Sequence, residues 1–219
     1  MPAPVVNSKG VKMAKTLNLI RVFCFIVVLV GAGVVAAFSQ PDILSARIGV
    51  SIDSGEQSVR ARGQEKIKPG DRLRIYVQTE VACHVYVVHT DRKKATLLGA
   101  FDATKPGVKL VLPSPSEFYQ VDGKSPIEVV TIICSTVELN DIPALFTSKA
   151  AYESWAPMEE KLLKQGKIDL SEKPEKPSPI AGNVRELTGS NRDESFIRGL
   201  PIYSGNTIIV KRYEFNVKK

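Results

Sequence analysis

Arg72-Leu73-Arg74-Ile75-Tyr76-Val77-Gln78-Thr79-Glu80-Val81-Ala82-Cys83-His84-Val85-Tyr86-Val87-Val88-His89-Thr90 is the stretch that decides the fold of this chain. In its first half Leu73, Ile75 and Val77 recur at a period of two, the signature of a strand with one buried face. In its second half Val81 to Thr90 is apolar on both parities, which predicts a central strand covered on both sides. Just before the stretch, Lys68-Pro69-Gly70-Asp71 is a turn: proline presets φ, glycine admits positive φ, and aspartate bonds nearby backbone donors. Just after it, Asp91-Arg92-Lys93-Lys94 is the charged tip of a hairpin whose return strand is Ala95 to Phe101.

The same alternation extends outward. Upstream, Ile48, Val50 and Ile52 share one face of a strand that begins near Ala46. Downstream, Pro106-Gly107, Pro113-Ser114-Pro115 and Asp122-Gly123 mark turns before an apolar strand from Ile127 to Ser135. The period then changes. Pro157 to Gln165 has proline and acids early, Lys164 late and Gly166 just past the end, so it predicts a short surface helix. A less regular helical stretch from Ile142 to Trp155 precedes it, with Trp155 as its anchor in the core, giving a helical insertion over about 142–165. Residues 166–183 place Pro174, Pro177 and Pro179 among lysines and glutamates, a composition that resists regular structure. Only 36 residues follow, too few to fold alone, so the segment is a long excursion and not a domain boundary. Thr207 to Val217 returns as a strand, with Ile209, Lys211, Tyr213, Phe215 and Val217 on one face and Ile208, Val210 and Arg212 on the other. The expectation is a mainly β chain: about seven or eight short strands in one predominantly antiparallel β-sandwich spanning 40–219, with a short helical insertion.

Residues 1–39 read as an export signal. Lys9, Lys12, Lys15 and Arg21 form an acid-free basic leader, Val22 to Ala37 is apolar, and Ala37-Phe38-Ser39 offers small residues for signal peptidase ahead of Gln40-Pro41. The apolar run is shorter than the roughly 20 residues of a spanning helix, which favours cleavage over an N-terminal membrane anchor; either outcome exports the remainder. Met13 is an alternative start, and Cys24 reads as a small hydrophobe of the signal. The formal charge is +7, but four of the positive charges precede Gln40, leaving +3 after it. With lysines and arginines scattered among acids, no basic aromatic face exists and nucleic acid is not an expected partner. There is no Asn-x-Ser/Thr sequon.

Lys68-Pro69-Gly70-Asp71-Arg72-Leu73-Arg74-Ile75, followed by Val85-Tyr86-Val87-Val88 and by Leu97-Leu98, resembles the bacterial family called domain of unknown function 4384. Pro126-Ile127-Glu128 and Thr131-Ile132-Ile133-Cys134-Ser135 are similar to its later strand, so the likeness spans roughly residues 66–136. His84 stands where that family often has an aromatic residue, and Gly99-Ala100-Phe101 replaces its Pro-Asn. The resemblance implies an immunoglobulin-like sandwich at the bacterial cell envelope and carries over no catalytic residue.

Candidate chemistry is sparse. His84 and His89 have opposite parity and lie about 16 Å apart along a strand at roughly 3.3 Å per residue, which prevents them from sharing a metal ion. Glu117, Asp122 and Glu128 are acids without a spacing that fixes a pair, and no nucleophile elbow, phosphate loop or dinucleotide fingerprint occurs. Neither cofactor nor enzyme activity is expected; the alternative is an envelope hydrolase using His84 or His89 with a nearby acid. Cys83 and Cys134 lie in two apolar strands, and a disulfide between them would add about 2–4 kcal/mol; free buried thiols are the other reading. The preferred function is a binding or scaffolding module for a protein or glycan at the envelope, periplasmic or anchored at the inner membrane by its N-terminal segment. Its contacts would come from Phe118, Tyr119 and Tyr203, the aromatic residues of the two longest predicted loops, 102–126 and 166–206. An open sheet edge is a further route for a partner, with Lys211-Arg212 on the last strand as its guard.

Overall fold

The computed structural model describes residues 43–55, 58–147, 152–166, 169–170 and 189–218. The expected leader at 1–39 and most of the proline-rich stretch 166–183 lie outside these residues. Twelve strands occur among them: β1 Leu44–Asp53, β2 Ser58–Arg60, β3 Gln64–Ile67, β4 Arg72–Thr79, β5 Cys83–Thr90, β6 Ala95–Thr104, β7 Lys109–Leu112, β8 Tyr119–Gln120, β9 Ile127–Ser135, β10 Asp169–Leu170, β11 Ile202–Gly205 and β12 Ile208–Val217. Three helices join them: α1 Asp141–Leu145, α2 Tyr152–Gln165 and α3 Gly189–Arg198. No helix among the described residues is long and apolar enough to cross a membrane.

The strands form two sheets. One runs β10-β11-β1-β4-β7, with β2 also on β1 and β8 also on β4; the other runs β3-β12-β9-β5-β6. All pairings are antiparallel except β3 with β12, which is parallel. The predicted face assignments hold. Leu44, Ala46, Ile48, Val50 and Ile52 of β1 and Leu73, Ile75 and Val77 of β4 meet Val85 and Val87 of β5, Val130 and Ile132 of β9, and Ile209, Tyr213 and Phe215 of β12 in one buried core. At roughly 1.5–3 kcal/mol for each large apolar side chain, this core dominates the gain from burial.

The outer faces are covered too, which explains why β5 is apolar on both parities. On the β12-β9-β5 face, Tyr86, Val88, Ile133 and Val210 pack against Ile142, Trp155 and Leu162 of α1 and α2. Trp155 is fully buried, the anchor expected of it. The helix begins earlier than predicted, at Tyr152, so Pro157 lies inside it, not at its first position. Its buried positions Trp155, Glu159 and Leu162 recur at helical spacing. At its end Gly166 abuts Val210, where an added Cβ would come within 2.8 Å of Cγ2. Glu159 is buried, accepts a hydrogen bond from Thr131 and pairs with Arg212 at 3.5 Å.

On the other outer face α3 covers β1 and β4, a helix within the segment expected to be loop. Ile197 and Leu200 pack on Tyr76, and Leu200 occupies the space that a side chain at Gly49 would need. The buried Asp193 carboxylate accepts from the Tyr76 hydroxyl at 2.7 Å and from Arg74 at 3.1 Å. Burial, with the Asp193 bond adding to it, pushes the Tyr76 phenol up to about 12. Thus α2 and α3 each dock with apolar side chains and one buried acid held by a sheet arginine.

One further expectation changes. The strand β12 is interior, between β3 and β9, so Lys211-Arg212 guards no edge. Lys211 instead lies over the rings of Tyr203 and Tyr213 at 5.2 and 5.3 Å. Cys83 and Cys134 are free thiols, buried side by side on adjacent strands. Cys134 stands opposite Val85, so Cys83 is its diagonal neighbour. The neighbouring Cys83 thiol, together with burial, holds Cys134 well above the ordinary thiol range.

Candidate functional site

A cleft of about 280 Å³ opens between the two sheets at the end farthest along β5 and β9 from the thiols. Leu73 and Ile75 of β4 face Leu98 of β6 and Val130 of β9 across it; Tyr119 and Val121 form one side, and His89, Asp91, Asp122, Lys124, Ser125 and Glu128 line it with polar groups.

Strand register delivers the central pair. His89 stands opposite Val130 and shares the inward parity of Val85 and Val87. Glu128 precedes Val130 by two residues and therefore points the same way. Their ends meet diagonally, His89 Nε2 lying 2.6 Å from Glu128 Oε2. The Glu128 side chain is only 12% exposed and that of His89 34%, so the carboxylate lies deeper and the imidazole reaches the solvent side. A bulge supplies Leu98: Val87 pairs with Gly99 and Val88 with Leu97, leaving Leu98 as the extra residue that turns inward. Gly99 must lack a side chain, since a Cβ there would come within 2.6 Å of the Phe101 ring.

Three turns hold the rim. Gly70, at φ +94°, donates to the Val121 carbonyl while Val121 donates to that of Asp71, both at 2.9 Å, stitching the Lys68–Asp71 turn to the cleft wall. Asp91 Oδ1 accepts the Lys93 and Lys94 amides at 2.8 and 2.7 Å. Burial pushes the Asp91 carboxyl up, but those two amides and the nearby His89 outweigh it and leave it below the ordinary range. Asp122 Oδ1 accepts the Lys124 amide at 2.9 Å and its Oδ2 pairs with the Lys124 ammonium at 3.0 Å, which lowers that carboxyl as well. Ser125 Oγ bonds the carbonyls of Ile127 at 2.7 Å and Asp91 at 3.3 Å, tying the third turn to the hairpin tip.

The three predicted contact aromatics do not converge. Tyr119 lies on β8 and lines the cleft, where burial raises its phenol pKa. Phe118 faces the other side of the sheet, beneath the guanidinium groups of Arg74 at 3.8 Å and Arg72 at 4.8 Å. Tyr203 is on β11 and not in a loop; it is buried in the core beside Tyr213. Both Phe118 and Tyr203 therefore pin structure together. Of the acids, Asp122 and Glu128 line the cleft, whereas Glu117 accepts a hydrogen bond from Ser114 outside it. His84 points to the opposite face of β5, with Nδ1 3.7 Å from Asp102, beyond hydrogen-bond reach. Leu98, Asp91, Lys124 and Ser125 escape sequence reasoning; the Leu97-Leu98 pair, two apolar residues in succession on an alternating strand, is the signal that could have revealed the bulge.

Chemically, the cleft offers an imidazole held by a carboxylate, a neutral phenol and an aliphatic floor. The Ser125 hydroxyl is engaged by two carbonyls, which leaves it poorly placed as a nucleophile. No group of three or more histidines, cysteines or acids that could hold a metal ion occurs among the described residues. In comparisons with family models, curated proteins and solved structures, nothing matches this chain.

Proposed function

We propose that this chain is an exported bacterial cell-envelope protein whose single immunoglobulin-like sandwich is a non-catalytic recognition or scaffolding module for a protein or glycan. The observation that carries this reading is the cleft at His89, Glu128 and Tyr119, a preformed concavity with an apolar floor and a few polar groups set by strands and short turns. The immunoglobulin-like assignment is supported by the five-strand order β3-β12-β9-β5-β6 against β1-β4-β7, with an early strand crossing over to lie parallel to the last. Kinship with domain of unknown function 4384 rests on the motifs within residues 66–136, and export to the periplasm, with or without retention at the inner membrane, rests on the basic and apolar leader.

Affinity capture of the tagged full chain from its native envelope, with crosslinking and mass spectrometry, tests the reading. A reproducible partner that is lost on Tyr119→Ala is expected; an empty capture by a folded protein overturns it. The 2.6 Å contact between His89 and Glu128 favours one second reading, a hydrolase in which the carboxylate orients the imidazole as general base toward water. Turnover of fluorogenic esters or glycosides, abolished by His89→Ala but untouched by His84→Ala, would establish it over the binding reading.

A further inference from the structure

The charge at the cleft mouth defines what can enter. Lys124 is engaged by Asp122, and Asp122 by Lys124 and its amide, so those two cancel. Asp91 uses Oδ1 for two backbone amides and Glu128 uses Oε2 for His89, which leaves Asp91 Oδ2 and Glu128 Oε1 as open acceptors. Among the lining side chains this leaves two carboxylates against one imidazole, Asp91 on the rim and Glu128 deeper, behind His89. Beneath them the floor is aliphatic: Leu73, Ile75, Leu98 and Val130. At about 280 Å³ the cleft falls below the roughly 300–1,000 Å³ typical of drug-sized ligands and suits one or two side chains.

We infer that this cleft takes an aliphatic side chain of a partner polypeptide, with a lysine or arginine flanking that anchor held by Asp91 on the rim and Glu128 deeper in the cleft. The inference rests on the recognition reading above and adds the chemistry of the partner to it. Charge complementarity selects this occupant. An acidic segment would meet two carboxylates, and a sugar would press hydroxyls against four aliphatic side chains that offer no hydrogen bond. An aliphatic anchor loses nothing there, and the flanking cation stays in partial contact with water, where a charged pair escapes the heaviest desolvation.

The test titrates the full chain with the blocked peptide Gly-Lys-Leu-Lys-Gly, followed by calorimetry and by amide NMR shifts. Saturable shifts at Leu98, His89 and Val130 are expected, and the double variant Asp91→Asn, Glu128→Gln should weaken binding about tenfold or more while its amide spectrum stays that of the folded protein. Gly-Glu-Leu-Glu-Gly and Gly-Lys-Ser-Lys-Gly should leave the cleft unshifted; equal binding of either overturns the inference. Chitooligosaccharide shifting the cleft in place of the basic peptide also overturns it, yet leaves the recognition reading standing. If neither peptides nor oligosaccharide shift the cleft and capture yields no partner, both fall together.

Discussion

The strands β5 and β9 present the same geometry twice, once at each end of the core. Cys83 with Cys134 and His89 with Glu128 are equivalent diagonal pairs on the same inward face, offset from direct register by the same two residues. At one end this close approach joins two thiols, 2% and 0% exposed, inside the core. At the other it joins an imidazole and a carboxylate beside a cleft. The backbone does not distinguish the ends; side-chain chemistry does. Soft, weakly polar thiols tolerate a dry site, whereas the ion-forming pair requires access to water on one side.

The largest perturbation removes what the two ends share. Ile132 is fully buried midway along β9, and Ile132→Ala should cost about 2–5 kcal/mol in denaturant unfolding. It should also weaken both ends together; a loss confined to one would show that they are uncoupled. Next, Cys134→Ser places a hydroxyl of similar shape in the dry end and should cost about 1–3 kcal/mol. A serine variant as stable as the parent would mean that this end is hydrated. Peptide-level alkylation should find Cys83 and Cys134 slow in the folded protein and fast in urea, and fast native labelling of either would contradict the burial.

A smaller effect follows from pH at the open end. The Asp91 carboxyl is held below its ordinary range, so its contribution is present above the unfolded value of about 3.9 and is lost as pH falls through the lower folded value. After discounting for solvent screening this amounts to less than about 1 kcal/mol. Asp91→Asn, which keeps an acceptor for both amides, should flatten that part of the stability profile; an unchanged acid limb would show that other carboxylates supply it. The smallest effect is expected for Glu128→Gln, about 0.5 kcal/mol or less near neutral pH, since His89 can turn to water. A loss comparable to that at Cys134 would erase the distinction between the ends.

Much of the sandwich is legible in the sequence because its long strands state their faces in alternating residues. Leu73, Ile75 and Val77 lie inward as their parity requires, and the doubly apolar β5 is covered on both faces. Trp155 is equally plain, a single large indole in a helical insertion. By contrast α3 is hidden, since most of Gly189–Arg198 is polar and its docking depends on Asp193 finding Arg74, 119 residues away. No local pattern reports such a partner. The short strand β11 escapes for the same reason, and Tyr203 with it. At the cleft, the inward parity of His89 can be read from β5 alone. Its contact with Glu128 depends on the register between strands 39 residues apart, which turns and hydrophobic faces constrain but do not write out.

The interior position of β12 ties residues 208–217 to strands made much earlier. It pairs with β9 on one side and, in parallel, with β3 on the other, so neither neighbour has its full complement of backbone partners until residues 208–217 are available. During synthesis the second sheet must wait, with two unpaired strand borders, until residues 208–217 have left the ribosome. A premature stop anywhere after β9 would thus remove a central strand from a sheet whose other members had already been made, and release a product prone to aggregate.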